Sequence, residues 1–194
     1  EDAPRHPRHL HGRPAAARRG ECDIAGIHLL DPATGAYNRP LLTETLSLVP
    51  GYGRMQGIVH RRDDARFAGR QPDDVVAAVL RDPVCVMVNR NAGSGTRILI
   101  DRLLGEHRPA GYGTQTKSHN AVAVAVAQGR ADWGVAIDTV ARQYDLGFIP
   151  LQEEQYDFVV PASRLEQPAV RAFRALLDDA RVREELRALG FHMI

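Results

Sequence analysis

The stretch Asn89-Arg90-Asn91-Ala92-Gly93-Ser94-Gly95-Thr96-Arg97 follows the apolar run Val84 to Val88 and precedes the helical spacing of Ile98 to Leu104. That order reads as strand, glycine loop, helix start. Gly93 and Gly95 let the backbone turn tightly and approach a ligand, Ser94 and Thr96 supply hydroxyls, and the first helical amides have no intrahelical partner. Such a place favours an anion, and Arg97 adds a charge that does not titrate away. The Rossmann fingerprint would need a third glycine where Ile98 stands, and the P-loop needs a Gly-Lys-Ser/Thr that is absent. A nucleophile elbow around Ser94 fails because Ala92 replaces its first glycine. The loop therefore suits holding an anion better than attacking an acyl group, beside the plainer reading of a serine-capped αβ loop.

A chain of 194 residues with 44% hydrophobic content can build one large domain or two small lobes. Its formal net charge of +1 gives no global attraction to nucleic acid or membranes, and no apolar run approaches the ~20 residues of a spanning helix. Cys22 and Cys85 lie far apart beside apolar runs, which reads as buried free thiols, not as a zinc or redox pair. Residues 1–14 form a basic, histidine- and proline-rich segment without the apolar core of a secretory signal. His6, His9 and His11 there lack an acidic partner and read as a mobile tail, so neither a metal nor a cofactor is expected.

Arg19-Gly20-Glu21-Cys22-Asp23-Ile24-Ala25-Gly26-Ile27 recurs in style as Gln128-Gly129-Arg130-Ala131-Asp132-Trp133-Gly134-Val135-Ala136, with Gly20 to Gly129 and Asp23 to Asp132 at one offset. Each copy reads as alanine-rich helix, glycine stop, tight turn and strand. The alternation of Val122, Val124 and Val126 with alanines has a strand period, but a cap at Ser118 or Asn120, a stop at Gly129 and the repeat itself favour a helix.

The remaining pattern predicts strands at 23–29, 55–60, 84–88, 113–117, 133–137 and 148–161, and helices at 41–47, 72–80, 94–106, 120–128 and 139–144. Ser163 and Pro168 begin two closing helices, with Val170, Phe173 and Leu177 on one face and Val182, Leu186 and Leu189 on another. Alternating strands and helices imply an α/β fold with mainly parallel sheets, whose ligands bind at the carboxyl ends of strands. The glycine loop, His28, Asp138 and the trio Ser118, His119 and Asn120 all fall at such ends, which strengthens the reading of a ligand cleft.

Three segments carry a resemblance to a known family: Arg19 to Pro32 with Thr34-Gly35 and Tyr37-Asn38, then Asn89-Arg90 with Gly93 to Arg97, then Phe148 to Leu151 with Glu154 and Tyr156-Asp157. They resemble the periplasmic-binding-protein-like domain found fused to molybdopterin-biosynthesis proteins and to helix-turn-helix regulators of molybdate metabolism. The resemblance covers residues 15–194 and implies a type II solute-binding fold of two lobes, with lobe 1 at 15–83 and 160–194 and lobe 2 at 84–159. It also implies a small oxyanion such as molybdate or tungstate between the lobes. Ser94, Gly95, Thr96 and Arg97 would form one wall, Ser118, His119 and Asn120 another, and His28 and Tyr156 would add donors.

Family members carry a Gly-Ser loop where this chain reads Leu10-His11-Gly12-Arg13-Pro14, and a strand and helix before it for which the chain begins too late. Lobe 1 therefore reads as N-terminally incomplete, its open edge to be covered by residues 1–13 or by a second copy. The leading expectation is a non-enzymatic binding or sensor module, cytoplasmic unless a signal precedes Glu1, reporting to a fused or partner domain or acting as a homodimer. The alternatives are an enzyme on a small carboxylate or amide, with Ser94 as nucleophile and His119 or His28 as base, and an interaction domain with a degenerate cleft.

Overall fold

The computed structural model describes residues 13–31 and 33–193, so the histidines at 6, 9 and 11 and the basic segment before Arg13 lie outside the described residues. Contacts divide the chain into unit 1, Glu1–Gly53 with Gln155–Ile194, and unit 2, Arg54–Glu154. The dividing points fall within two strands of 15 residues each, β2 (Leu46–His60) and β6 (Gly147–Pro161). These points differ from the lobe boundaries expected from the sequence, at 83 and 159. The missed signal is the continuity of β2, whose first half reads as polar and turn-like through Pro50-Gly51.

Unit 1 holds α1 (Arg13–Arg18), β1 (Ala25–Ile27), a 3-10 turn (Arg39–Leu41), α6 (Pro168–Asp178), α7 (Ala180–Ala188) and β7 (His192–Met193). β1 pairs antiparallel with β6 through Ala25 and Val159, and β7 pairs with β2 at Tyr52 and Gly53. Ala15, Ala17, Ile27, Leu46 and Val159 form one apolar cluster, and Val49, Val160 and Val170 a second. The expected helix at 41–47 is absent: the chain makes one 3-10 turn after Pro40 and enters β2 at Leu46. Pro40 lies within that turn, Thr43 and Thr45 are poor helix formers, and from Leu46 the backbone runs as a strand. Ser163 likewise sits in a 3-10 turn, and Asp179 caps the last helix through the Arg181 and Val182 amides. Leu189 remains exposed, so the second closing face is not core.

Unit 2 holds α2 (Pro72–Arg81), β3 (Met87–Arg90), α3 (Gly95–Leu104), β4 (Gln115–Thr116), α4 (His119–Ala127), β5 (Trp133–Ile137) and α5 (Asp138–Gln143). β3 runs parallel to both β5 and β4, and β5 pairs antiparallel with β2 from Gln56↔Ile137 to His60↔Trp133. Parallel strand–helix units thus occur where the sequence placed them. Ile58, Phe67, Met87, Ile100, Trp133 and Val135 belong to one core cluster, and Val59, Val88, Val122, Val126 and Ala136 to another. α4 packs on β3, β5 and α5, which is why its alternating Val/Ala sequence can be helical: a helix buried on several sides needs no polar face.

β3 begins later than the apolar run suggests. Val84 is 74% exposed, because Asp82 turns the chain by accepting the Val84 amide and the Asp132 carboxylate then takes the Val86 amide. Asp132 also accepts from Arg61 and Arg66, so the turn after α4 is held by a carboxylate with three donors.

The repeated segment is real at the level of individual bonds. Arg19, Gly20 and Glu21 donate to the carbonyls of Ala15, Ala17 and Ala16, and Gln128, Gly129 and Arg130 donate to those of Val124, Val126 and Ala125. Gly20 and Gly129 have φ of 74° and 68°, the left-handed conformation of this helix stop.

Candidate functional site

Within unit 2, β3 ends at Arg90, and the loop after it leads to Ser94, whose side chain caps α3. Ser94 Oγ accepts from the Arg97 amide at 3.2 Å and donates to the Asn91 carbonyl at 3.0 Å. Both roles of the hydroxyl are local, which counts against Ser94 as a nucleophile. Gly95 opens the helix and Thr96 is buried. The Arg97 guanidinium pairs with Asp101 at 2.8 Å, donates to Tyr112 Oη at 2.6 Å and reaches the Arg90 carbonyl at 3.1 Å. These contacts, the Asp101 bond first, raise Arg97 above the usual arginine range.

A second loop leads from β4 to Ser118, which caps α4 by accepting from the Ala121 amide at 3.1 Å. His119 is the first residue of that helix and Asn120, exposed, the second. Arg90 joins the two loops: its carbonyl accepts from Arg97, and its Nη1 lies 3.1 and 3.3 Å from the two ring nitrogens of His119.

Arg90 is also where the electrostatics concentrate. It is 8% exposed, its Nη2 reaches the Lys117 carbonyl at 3.4 Å, and its Nε is buried with no hydrogen-bond partner. Beside it, Arg54 (9% exposed) donates through Nε to Glu154 Oε2 at 2.5 Å, and Glu154 is 1% exposed. Burial, then the neighbouring Arg54, pull Arg90 below the usual arginine range, and Glu154 offsets part of this. Even so, a guanidinium stays protonated. Two buried guanidinium groups thus share the neighbourhood of one buried carboxylate, and that carboxylate is ion-paired with Arg54. A buried charge of this kind is costly unless an anion completes it.

His28 and Tyr156, the other two expected site residues, belong to unit 1. Their rings stack at 5.3 Å with 13° between planes, and Tyr156 stacks in turn on Tyr52 at 5.5 Å. Beside them Asn38, at φ 58°, accepts the Leu29 amide at 2.8 Å and donates to Asp157 at 2.8 Å, while Asp157 accepts the Gly51 amide at 3.0 Å. Asn38 and Asp157 therefore brace the loop around residues 29–38, and the two halves of the Tyr-Asn and Tyr-Asp pattern meet there.

Arg54 had no signal in the sequence beyond being a charged residue inside a strand. Arg90 and Glu154 appear among the family-like residues, but their burial does not. Among the described residues no group of histidine, cysteine, aspartate and glutamate is arranged to hold a metal, and no helix is long and apolar enough to cross a membrane.

The family described as the PBP superfamily domain matches residues 14–178. The chain belongs to that superfamily. A curated relative, the uncharacterized protein YvgK of Bacillus subtilis, is 37% identical across 73% of this chain and 47% of its own length, so the chain spans about half of that relative. An uncharacterized protein in the ferredoxin 2Fe-2S gene 5′ region of Clostridium pasteurianum is 33% identical over 48% of this chain and 88% of its own.

Solved structures share the PBP fold. A putative phosphate ABC transporter substrate-binding protein with bound phosphate from Clostridium perfringens has a TM-score of 0.71 at 9% identity, covering 93% of this chain and 82% of that one. A reduced form of OxyR from N. meningitidis has 0.60 at 13% identity, covering 93% and 78%. At such identities the likeness is one of fold.

Proposed function

We propose that this PBP-superfamily chain is the ligand-binding module of a binding or sensor protein and takes a small anion at Arg90, with no chemical step. The observation that carries the reading is the buried Arg90 Nε without a partner, next to a second buried arginine whose carboxylate is already engaged. An anion accepting from Arg90 would replace the hydration that burial removes, and charge-assisted bonds are the strong ones. The capped starts of α3 and α4 add oriented amides nearby, each contributing about 0.3–1 kcal/mol toward negative charge. The family likeness supports binding, and a solved neighbour of the same fold carries phosphate.

Molybdate and tungstate, the anions the sequence resemblance implies, remain the finer reading. Phosphate and sulfate share their shape, and acetate offers a planar carboxylate suited to a guanidinium. A thermal-shift panel of these five decides, since a ligand at 100 times its Kd stabilises by about 2.7 kcal/mol. The expected result is stabilisation by at least one anion that disappears in Arg90→Met. If none stabilises the chain, or if the variant responds like the parent, the reading fails.

A further inference from the structure

Unit 2 also contains a cavity of about 540 Å³ at the other end of its strands, near His60, the last residue of β2 and the partner of Trp133 at the start of β5. His60, Phe67, Arg70, Gln71, Gly147 and Phe148 are among the residues that line it. His60 is 5% exposed, and its Nδ1 lies 2.7 Å from the Arg61 carbonyl. A carbonyl only accepts, so Nδ1 carries the proton and Nε2 is the bare acceptor. Among the described residues no hydrogen bond engages Nε2. The imidazole is fixed from both sides: it stacks on Phe67 at 4.9 Å with 15° between planes, and it lies so close to Gly147 that a Cβ there would overlap Cε1 and Nε2. Gly147 is thus a glycine for space, leaving room for the ring at the cavity wall.

The rest of the lining supplies the opposite chemistry. Arg70 and Gln71 are exposed, and among the described residues their side chains make no hydrogen bond or ion pair. Gln71 is the N-cap of the ten-residue helix α2 and gives it no side-chain cap; Pro72 at the first position has no N–H, which leaves the Asp73 and Asp74 amides as the ones open to another acceptor. Asp73 and Asp74 of the first turn are exposed and do not line the cavity. Arg62, also at the rim, is held by Asp145 at 2.8 Å.

We infer that this cavity is a second ligand site, for a small planar carboxylate that carries a hydroxyl. Its acid group is held by Arg70 and the uncapped start of α2, its flat body lies against Phe148 and Ile149, and its hydroxyl donates to His60 Nε2. A bare imidazole acceptor selects a donor-bearing ligand, whereas a simple oxyanion gains nothing from it. The site does not depend on the Arg90 reading, because none of the Arg90 cluster lines it.

The test is isothermal calorimetry with benzoate and the three isomeric hydroxybenzoates as probes, on the parent chain and on Arg70→Ala, His60→Phe and Arg90→Met. At least one hydroxybenzoate should bind about ten-fold more tightly than benzoate, the ratio that one good hydrogen bond gives. Arg70→Ala should weaken every probe, His60→Phe should erase the hydroxyl preference while keeping benzoate binding, and Arg90→Met should change nothing. Because His60 is buried, a titration of the parent followed by the His60 ring-proton resonances gives the same information without the variant. Absence of saturable binding by any probe, or binding indifferent to Arg70→Ala, overturns the inference.

Discussion

Arg54 Nε and Glu154 Oε2 lie 2.5 Å apart, at 9% and 1% exposure, and among the described residues Arg90 beside them forms no ion pair of its own. Substitutions at Glu154 and at Arg90 should act in opposite directions. Replacing Glu154 with leucine strands the Arg54 charge and should destabilise the chain by about 3–5 kcal/mol. Arg90→Met removes a charge that Glu154, paired with Arg54, offsets only in part, so it should be neutral or stabilising by up to about 1–4 kcal/mol in anion-free buffer. Urea unfolding of both variants checks the contrast, and a large loss on Arg90→Met would show that the charge is compensated in the ligand-free protein.

The helix caps give a smaller effect. Ser94→Ala and Ser118→Ala each remove a side chain that accepts from a first-turn amide, and each should cost about 1 kcal/mol. Glycine at either position should cost only a few tenths, as measured by the urea midpoint at constant slope.

Stability should fall on the acid side in two steps. His60 titrates below its ordinary value, chiefly because burial opposes its charge, with Arg62 adding to this and the Arg61 carbonyl and Asp64 opposing it. Its contribution is complete above the unfolded value near 6.5 and is lost as pH falls toward the lowered folded value. Asp64 is held below the carboxylate range chiefly by Arg66, and for Asp132 the Val86 amide with Arg66 and Arg61 outweighs the opposing effect of burial. Their stabilisation is present above about pH 4 and is lost below it. Unfolding free energies measured from pH 3 to 8 should show both steps, and His60→Gln should flatten the upper one alone.

Cys85 is fully buried, and burial pushes its thiol up to about 11. Thiolate is the reactive form, so alkylation of Cys85 at pH 8 should be at least ~100-fold slower in the native protein than in guanidinium. Peptide mapping after timed iodoacetamide treatment measures this, and equal rates would mean that unit 2 opens readily.

Gly20 and Gly129 should behave alike, because both end a helix with the same hydrogen bonds at positive φ. Alanine at either site should cost about 1–2 kcal/mol. At Gly129, with no atom near the added Cβ, the cost is wholly conformational. A loss at one site and none at the other would show that the repeat is not energetically equivalent.

Local signals were enough for much of this architecture. Ser94 and Ser118 cap the helices their spacing announced, Gly20 and Gly129 stop theirs, and Trp133–Ile137 forms the strand the apolar run described. These features depend on backbone rules acting within a few residues. The sequence also contained the repeat and the family-like segments, which led to the PBP superfamily.

What only tertiary structure decided involves partners far along the chain. Residues 41–47 lost their expected helix because Leu46 begins a strand that finds its partners beyond residue 130, and Val84 stayed outside β3 because Asp132 captures the Val86 amide. The Arg90 cluster is of the same kind: its meaning comes from burial and from Arg54, His119 and Glu154, residues separated by tens of positions. A charged side chain looks alike in a sequence whether water or a closed core surrounds it, and the cost of leaving it without a counter-charge appears only when folding removes the water.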